Sequence, residues 1–169
     1  MASTIMTKKQ IILLIGIPGA GKSTVAKKLE NKGFHVLNAD SIRNELYGNE
    51  GIQGDSKEVF KVFFDRLDKA LSQDLRIVVD NTNLNRRHRD PIIEKARSAN
   101  YTDIQLWFFD VPLAVCIERN RDRNRIVEEE IIMNMHKELY NHGKPDKSEG
   151  KITYLRLNKD KNDYLFIPS

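Results

Sequence analysis

The chain has 169 residues, 40% of them hydrophobic and 31% charged, with a formal charge of +4. That length suits a single domain over residues 1–169 whose core needs no staples, and the composition is that of a soluble globular protein without low-complexity tracts. The lone Cys116 excludes an intrachain disulfide and a cysteine metal cluster, and no apolar run approaches the ~20 residues of a membrane helix.

The start, MASTIMTKKQ, lacks a secretory h-region and cleavage site, so a cytoplasmic, reducing location is expected. QIILLIG then reads as a buried, parallel strand, being continuously apolar and stopped by glycine. KSTVAKKLENKG has helical spacing at Val25, Ala26 and Leu29 and a terminal Gly33. FHVLN is a second short strand, residues 41–47 a short helix, and GNEGIQGD a glycine-punctuated loop. Over residues 56–72, Val59, Phe60, Phe63, Phe64, Leu67 and Leu71 recur at helical spacing. RIVVDNTN is a third strand running into a polar turn, followed by a helix over 90–98 with Pro91 in its first turn. IQLWFFD is a fourth strand, with Trp107 in the core. Pro112 opens a helix to about residue 121 that carries Cys116 as a small buried hydrophobe. Residues 128–140 are helical again, and KITYLRL and DYLFIPS close the chain as strands.

Strands alternating with helices predict an α/β fold, a parallel sheet covered by helices on both faces. Ligands in such sheets gather at the carboxyl ends of the strands. Gly16, Asp40, Asp80 and Asp110 each stand at one of those ends.

GIPGAGKST matches G-x-x-x-x-G-K-[ST] between a buried strand and a helix. A loop of Gly16, Pro18, Gly19, Ala20 and Gly21 can wrap with its N–H groups inward, and Lys22, Ser23 and Thr24 open a helix whose N-terminus favours anions. Lys22 is placed to reach the β- and γ-phosphates of ATP, and the Ser23 hydroxyl to ligate Mg²⁺. The chain therefore binds a nucleoside triphosphate. It has no N-K-x-D base-reading motif, and a transporter or motor would need more residues. The arginine-rich RNRDRNR points to a phosphotransferase with a closing lid.

NADSIR lies where a kinase needs a carboxylate opposite the γ-phosphate. Asp40 suits a general base, and Arg43, one helical turn on, suits a phosphate on the acceptor. The competing reading makes Asp40 or Ser41 a helix cap and leaves Arg43 solvated.

Four segments in order, GIPGAGKST, NADSIR, DNTNLNRRHR and FFDVP followed by ERNRDR, resemble the 5′-hydroxyl polynucleotide kinase domain of the phage type, a branch of the P-loop phosphotransferases. They cover most of residues 11–140. The resemblance implies a P-loop kinase-like sheet with a helical, arginine-bearing lid. It implies Lys22 and Ser23 at the donor, Asp40 as general base, and Arg43 holding the phosphate next to the acceptor nucleotide. It makes Arg119 and Arg123 lid arginines on the ATP phosphates, and their i, i+4 spacing would place both on one helix face.

The sequence departs from the phage pattern at Asn81, where that pattern has an acid, and at Glu128, where a proline is usual. The DNTN form resembles the animal-type kinase domain. Asp80 becomes the candidate outer-shell partner of Mg²⁺ through Ser23 or water. Asn83 either contacts substrate or holds the turn. Arg86, Arg87 and Arg89 are positioned for a polynucleotide backbone or for the solvated surface. No histidine has metal-ligand spacing, and nothing from residue 141 onward assigns chemistry. The phosphatase motif D-x-D-G-[TV] is absent, so a phosphatase or ligase would come from another chain. The expectation is an ATP-dependent, Mg²⁺-requiring kinase of the 5′-hydroxyl ends of DNA or RNA. Its rivals are a kinase of a small metabolite, nucleoside or nucleotide sugar, and a nucleotide-dependent adaptor.

Overall fold

The computed structural model describes residues 8–48, 54–124 and 126–169. Most of the expected GNEGIQGD loop, the first seven residues and Arg125 lie outside them. The sheet grows outward from β1 (Gln10–Ile15), whose apolar run is buried on both faces and so shows no alternation. β3 (Ile77–Asp80) and β4 (Asp103–Phe109) pair with it on either side, both parallel. β2 (His35–Leu37) adds to β3, and β5 (Lys151–Leu157) to β4, again parallel. The last strand, β6 (Tyr164–Pro168), pairs with β5 antiparallel, which gives the order β2-β3-β1-β4-β5-β6. This departs from an all-parallel sheet for a simple reason. Only residues 158–163 join β5 to β6, and a parallel crossover takes about a dozen residues or more.

Six α-helices among the described residues flank the sheet. α1 (Lys22–Asn31) follows β1 and buries Val25, Ala26 and Leu29. α2 (Ala39–Tyr47) starts two residues earlier than its spacing suggests, because Asn38 caps it: the Asn38 Oδ1 accepts from the Ser41 N–H at 2.9 Å. Gly48, at φ 73°, supplies the left-handed residue that stops it. α3 (Ser56–Ser72) buries Val59, Phe63, Leu67, Ala70 and Leu71 and packs against α2, but leaves Phe60 38% exposed.

α4 (Arg86–Ser98) also starts early. Asn85 caps it by accepting from the His88 N–H at 3.1 Å, so Pro91 falls well inside the helix. α5 (Leu113–Arg121) carries Cys116 fully buried, and burial pushes its thiol up to about 11. α6 (Glu129–Glu138) runs on into a single π turn over Leu139–Gly143. Among the described residues no helix is long and apolar enough to cross a membrane.

Candidate active site

The G-x-x-x-x-G-K-S segment wraps between β1 and α1. Gly19 and Gly21 stand at φ 86° and 101°, a region open to glycine and costly for other residues. Space demands glycine as well: a Cβ on Gly19 would fall on the Cys116 carbonyl, and one on Gly21 on the Tyr164 hydroxyl. The loop is tied at its start by the Gly16 N–H, which donates to the Thr82 carbonyl at 3.1 Å. At its end Gly21 is the N-cap of α1 and brings no side-chain acceptor, so the first-turn N–H groups and the helix dipole face the loop's hollow. Lys22 is buried, and its Nζ donates to the Ile17 carbonyl at 3.1 Å. Burial lowers the Lys22 pKa, with the negative charge of Asp80 opposing part of that shift.

Asp80, at the end of β3, is buried beside the loop. Its Oδ2 accepts from the Ser23 hydroxyl at 3.2 Å and from the Asn38 amide at 3.1 Å. A hydroxyl and a carboxylate at the mouth of a phosphate loop are the hard oxygen donors that Mg²⁺ prefers. No group of three or more His, Cys, Asp or Glu side chains suits a metal among the described residues. A magnesium ion held by Ser23 and Asp80 would therefore draw its remaining oxygens from the triphosphate and water. Asn81 does different work: its Oδ1 accepts from the Ala39 N–H at 2.9 Å and fixes the first turn of α2.

That turn carries Asp40 and Arg43. Arg43 Nη1 lies 2.5 Å from Asp40 Oδ1, with the Asp40 side chain 42% exposed and that of Arg43 17%. Among the described residues the buried Arg43 Nε has no hydrogen-bond partner, so the guanidinium retains donor capacity. Since Asn38 is the N-cap, neither Asp40 nor Ser41 serves as one. A cavity of about 850 Å³ brings Asp40, Arg43, Lys22, Ser23, Thr24 and Asp80 together. Pro18, Arg119 and Arg123 line it too.

Three sequence-based expectations need correction. Arg89 is fully buried: its Nε and Nη2 bond both Glu149 carboxylate oxygens at 2.7 and 3.3 Å. Its Nη1 donates to the Asn83 and Gly143 carbonyls at 2.8 and 2.9 Å, so it is a strut with no reach to an acceptor. Asn83 is equally buried, and its amide donates to the Leu14 carbonyl at 2.7 Å, which makes it the holder of the turn. Arg119 and Arg123 do not share a helix face, because α5 stops at Arg121 and Arg123 lies past the cap. The buried Asn120 shapes this bend. Its side chain donates to the Val127 carbonyl at 2.7 Å and accepts from the Val127 N–H at 3.1 Å.

Other residues of the site carried no local signal. Phe60, Ile126, Ile131 and Met135 give the cavity an apolar wall, and Tyr164 and Asn162 enter it from the C-terminal hairpin. The stripe on α3 made Phe60 look like core. Tyr164 sits in a segment whose only legible feature was β alternation.

A mostly parallel sheet with a glycine-lysine-serine loop after its central strand, and a carboxylate at the end of the neighbouring strand, has the P-loop fold and donor site that P-loop kinases share. Residues 11–142 match the family model described as AAA domain (AAA_33), and the chain belongs to that family. It is 32% identical over 132 residues to a putative bifunctional polynucleotide kinase/RNA ligase of Autographa californica nuclear polyhedrosis virus, covering 70% of this chain and 19% of that protein. It is 29% identical over 140 residues to an L-seryl-tRNA(Sec) kinase of Methanococcus maripaludis, covering 76% of this chain and 52% of the other. The chain thus spans about half or less of the length of these curated relatives. The fold matches a chain of the Pnkp1/Rnl/Hen1 RNA repair complex at TM-score 0.70 and 19% identity, over 99% of this chain and 51% of that one.

Proposed function

We propose that this P-loop kinase transfers the γ-phosphate of ATP to the 5′-hydroxyl end of DNA or RNA. The observation that carries the reading is the Asp40–Arg43 pair on α2, opening on the cavity that holds the phosphate loop. A kinase of a neutral metabolite needs a carboxylate there but has no use for an arginine beside it. Arg43 suits an acceptor that brings its own phosphodiester. The apolar wall of Phe60, Ile131 and Met135 suits a nucleobase and offers a sugar few hydrogen bonds. The relative named for polynucleotide kinase and RNA ligase activity supports the same reading.

In this mechanism the loop N–H groups and Lys22 hold the β- and γ-phosphates and neutralise charge as it moves onto the leaving oxygen. Mg²⁺, when bound, supplies further charge neutralisation at the triphosphate. Asp40 orients the 5′-hydroxyl for in-line attack and takes its proton. Arg43 exchanges its bond to Asp40 for the acceptor phosphate, which turns one Asp40 oxygen from the guanidinium toward the hydroxyl. Arg123, exposed past the end of α5, closes over the donor from the lid.

The test is transfer of labelled γ-phosphate from ATP to 5′-hydroxyl DNA and RNA oligonucleotides, beside nucleosides, sugars and nucleotide-bearing metabolites. Oligonucleotides should be preferred by a large factor in kcat/KM. A better nucleoside, sugar or metabolite acceptor would replace this reading, and ATP binding without transfer to any acceptor would favour an adaptor.

A further inference from the structure

Tyr164 is the first residue of β6, in a segment that otherwise reads as sheet edge. Its ring packs edge-on against Phe109 at 5.4 Å, which aims the hydroxyl back across the sheet's carboxyl end. The hydroxyl donates to the Ala20 carbonyl of the phosphate loop and accepts from Arg119 Nη1 at 3.1 Å. Arg119 Nη1 also lies 3.3 Å from the Ala20 carbonyl and 3.4 Å from that of Gly19. Its Nη2 reaches the Lys161 carbonyl at 3.4 Å, in the β5–β6 turn. That turn is braced from within: Asn158 Oδ1 accepts from the Asn162 N–H at 3.2 Å, and the Asn158 N–H donates to Asp163 at 2.9 Å.

These contacts bear on the cradle through peptide geometry. A trans peptide is planar and sends its carbonyl and its N–H to opposite sides. Fixing the Ala20 carbonyl on Tyr164 and Arg119 therefore also fixes the direction of the Gly21 N–H, which leaves the opposite side of the same peptide. The glycine at 21 leaves the backbone free to swivel, so something outside the loop must fix it. Tyr164 and Arg119 are the groups on that carbonyl.

We propose that Tyr164 is a positioning residue of the donor site. From the C-terminal hairpin it pins the Ala20–Gly21 peptide in its phosphate-binding orientation and holds Arg119 against the loop. This rests on the donor half of the function proposed above and is independent of the acceptor.

The experiment measures binding of ATP and of inorganic triphosphate, with no acceptor present, by calorimetry. The proteins are wild type, Tyr164→Phe, Arg119→Ala and the double variant. Tyr164→Phe keeps the ring on Phe109 and loses only the hydroxyl, and thermal melting checks that it folds. It should bind both ligands roughly five- to tenfold more weakly, as expected for losing an ordinary hydrogen bond. In the double variant the losses should fall short of additive, since both side chains act on one carbonyl. Unchanged affinity in a folded Tyr164→Phe protein would overturn the proposal. So would weakened ATP with unaltered triphosphate, which would make Tyr164 a nucleoside contact. Additive losses would detach it from Arg119. Failure of the wild type to bind ATP would instead fail the donor reading itself.

Discussion

Asp40 can be tested without disturbing its helix, because Asn38 caps α2 and Asp40 lies inside the first turn. Asp40→Asn keeps the shape and removes the proton acceptor, so kcat should fall by about a hundred- to ten-thousand-fold with ATP affinity little changed. Arg43→Ala should raise KM for an oligonucleotide more than it lowers kcat, and should do little to the rate on a free nucleoside. Steady-state kinetics on both acceptors decide this, and a nearly fully active Asp40→Asn enzyme would end the base assignment. Lys22 makes a separate forecast about pH. Burial lowers its pKa, so the folded protein sheds this proton at a lower pH than the unfolded chain. Within that window the unfolded state binds more protons, and this group makes stability rise with pH. Triphosphate charge beside Lys22 pushes the pKa back up, so ATP binding at alkaline pH should take up a proton. Calorimetry in buffers of differing ionisation enthalpy measures that uptake, and Lys22→Met should abolish it. The gathering of Lys22, Ser23, Asp40 and Asp80 around one cavity was legible because each sits at a fixed offset from a strand end. Arg89 and Asn83 were not, because their burial depends on partners 60 and 69 residues away in the chain.

At the scale of elements, the Arg89–Glu149 pair joins parts that touch the site on different sides. Through the Asn83 carbonyl it holds the turn after β3, and through the Gly143 carbonyl it holds the π turn that ends α6. Glu149 also accepts from the Asp146 N–H at 2.7 Å, so the loop before β5 is organised around the same carboxylate. Breaking a buried ion pair from one side costs about 3–5 kcal/mol, because the remaining charge stays buried without its partner. Arg89→Met should therefore destabilise by that order in urea unfolding, and adding Glu149→Leu should recover a substantial part of the loss. A surface-like change of a few tenths of a kcal/mol from Arg89→Met would contradict the strut. The order of strands and helices was readable from periodicity and glycine punctuation. The early starts of α2 and α4 escape a reading by apolar spacing, because each capping asparagine and the turn after it lie outside the apolar stripe. The antiparallel β6 was hidden by a turn too short for any other connection, a constraint visible only once β5 and β6 are paired.

For the whole molecule, what matters is where the charge of +4 resides. The run NRRHR suits either a track for a polynucleotide backbone or a solvated surface, yet Arg89 is internal and Arg86 pairs with Asp90 at 3.3 Å. Arg97 is bonded to the Ser148 and Glu149 carbonyls, Arg121 to Glu129, Arg156 to Asp110 and Arg66 to Glu45. These guanidiniums are spent on joining elements, and among the described residues the cationic groups facing the cavity beside Asp40 are Lys22, Arg43, Arg119 and Arg123. In the proposed function Lys22, Arg119 and Arg123 serve the donor, and an acceptor strand is then gripped at its end, by Arg43, with little hold on the nucleotides beyond. At saturating ATP, kcat/KM should rise from a nucleoside to a 5′-hydroxyl dinucleotide, where the first phosphodiester appears, and then level off by about four nucleotides. Each single-strand phosphate neutralised contributes a slope of about −0.7 in log K against log salt, so one or two contacts predict roughly −0.7 to −1.4. Kinetics on a ladder of oligonucleotides at several salt concentrations measure both quantities. A slope of about −3 or steeper, with kcat/KM still climbing beyond ten or so nucleotides, would mean that the strand follows an extended basic surface, and end recognition through Arg43 would then be the wrong account of how the acceptor is chosen.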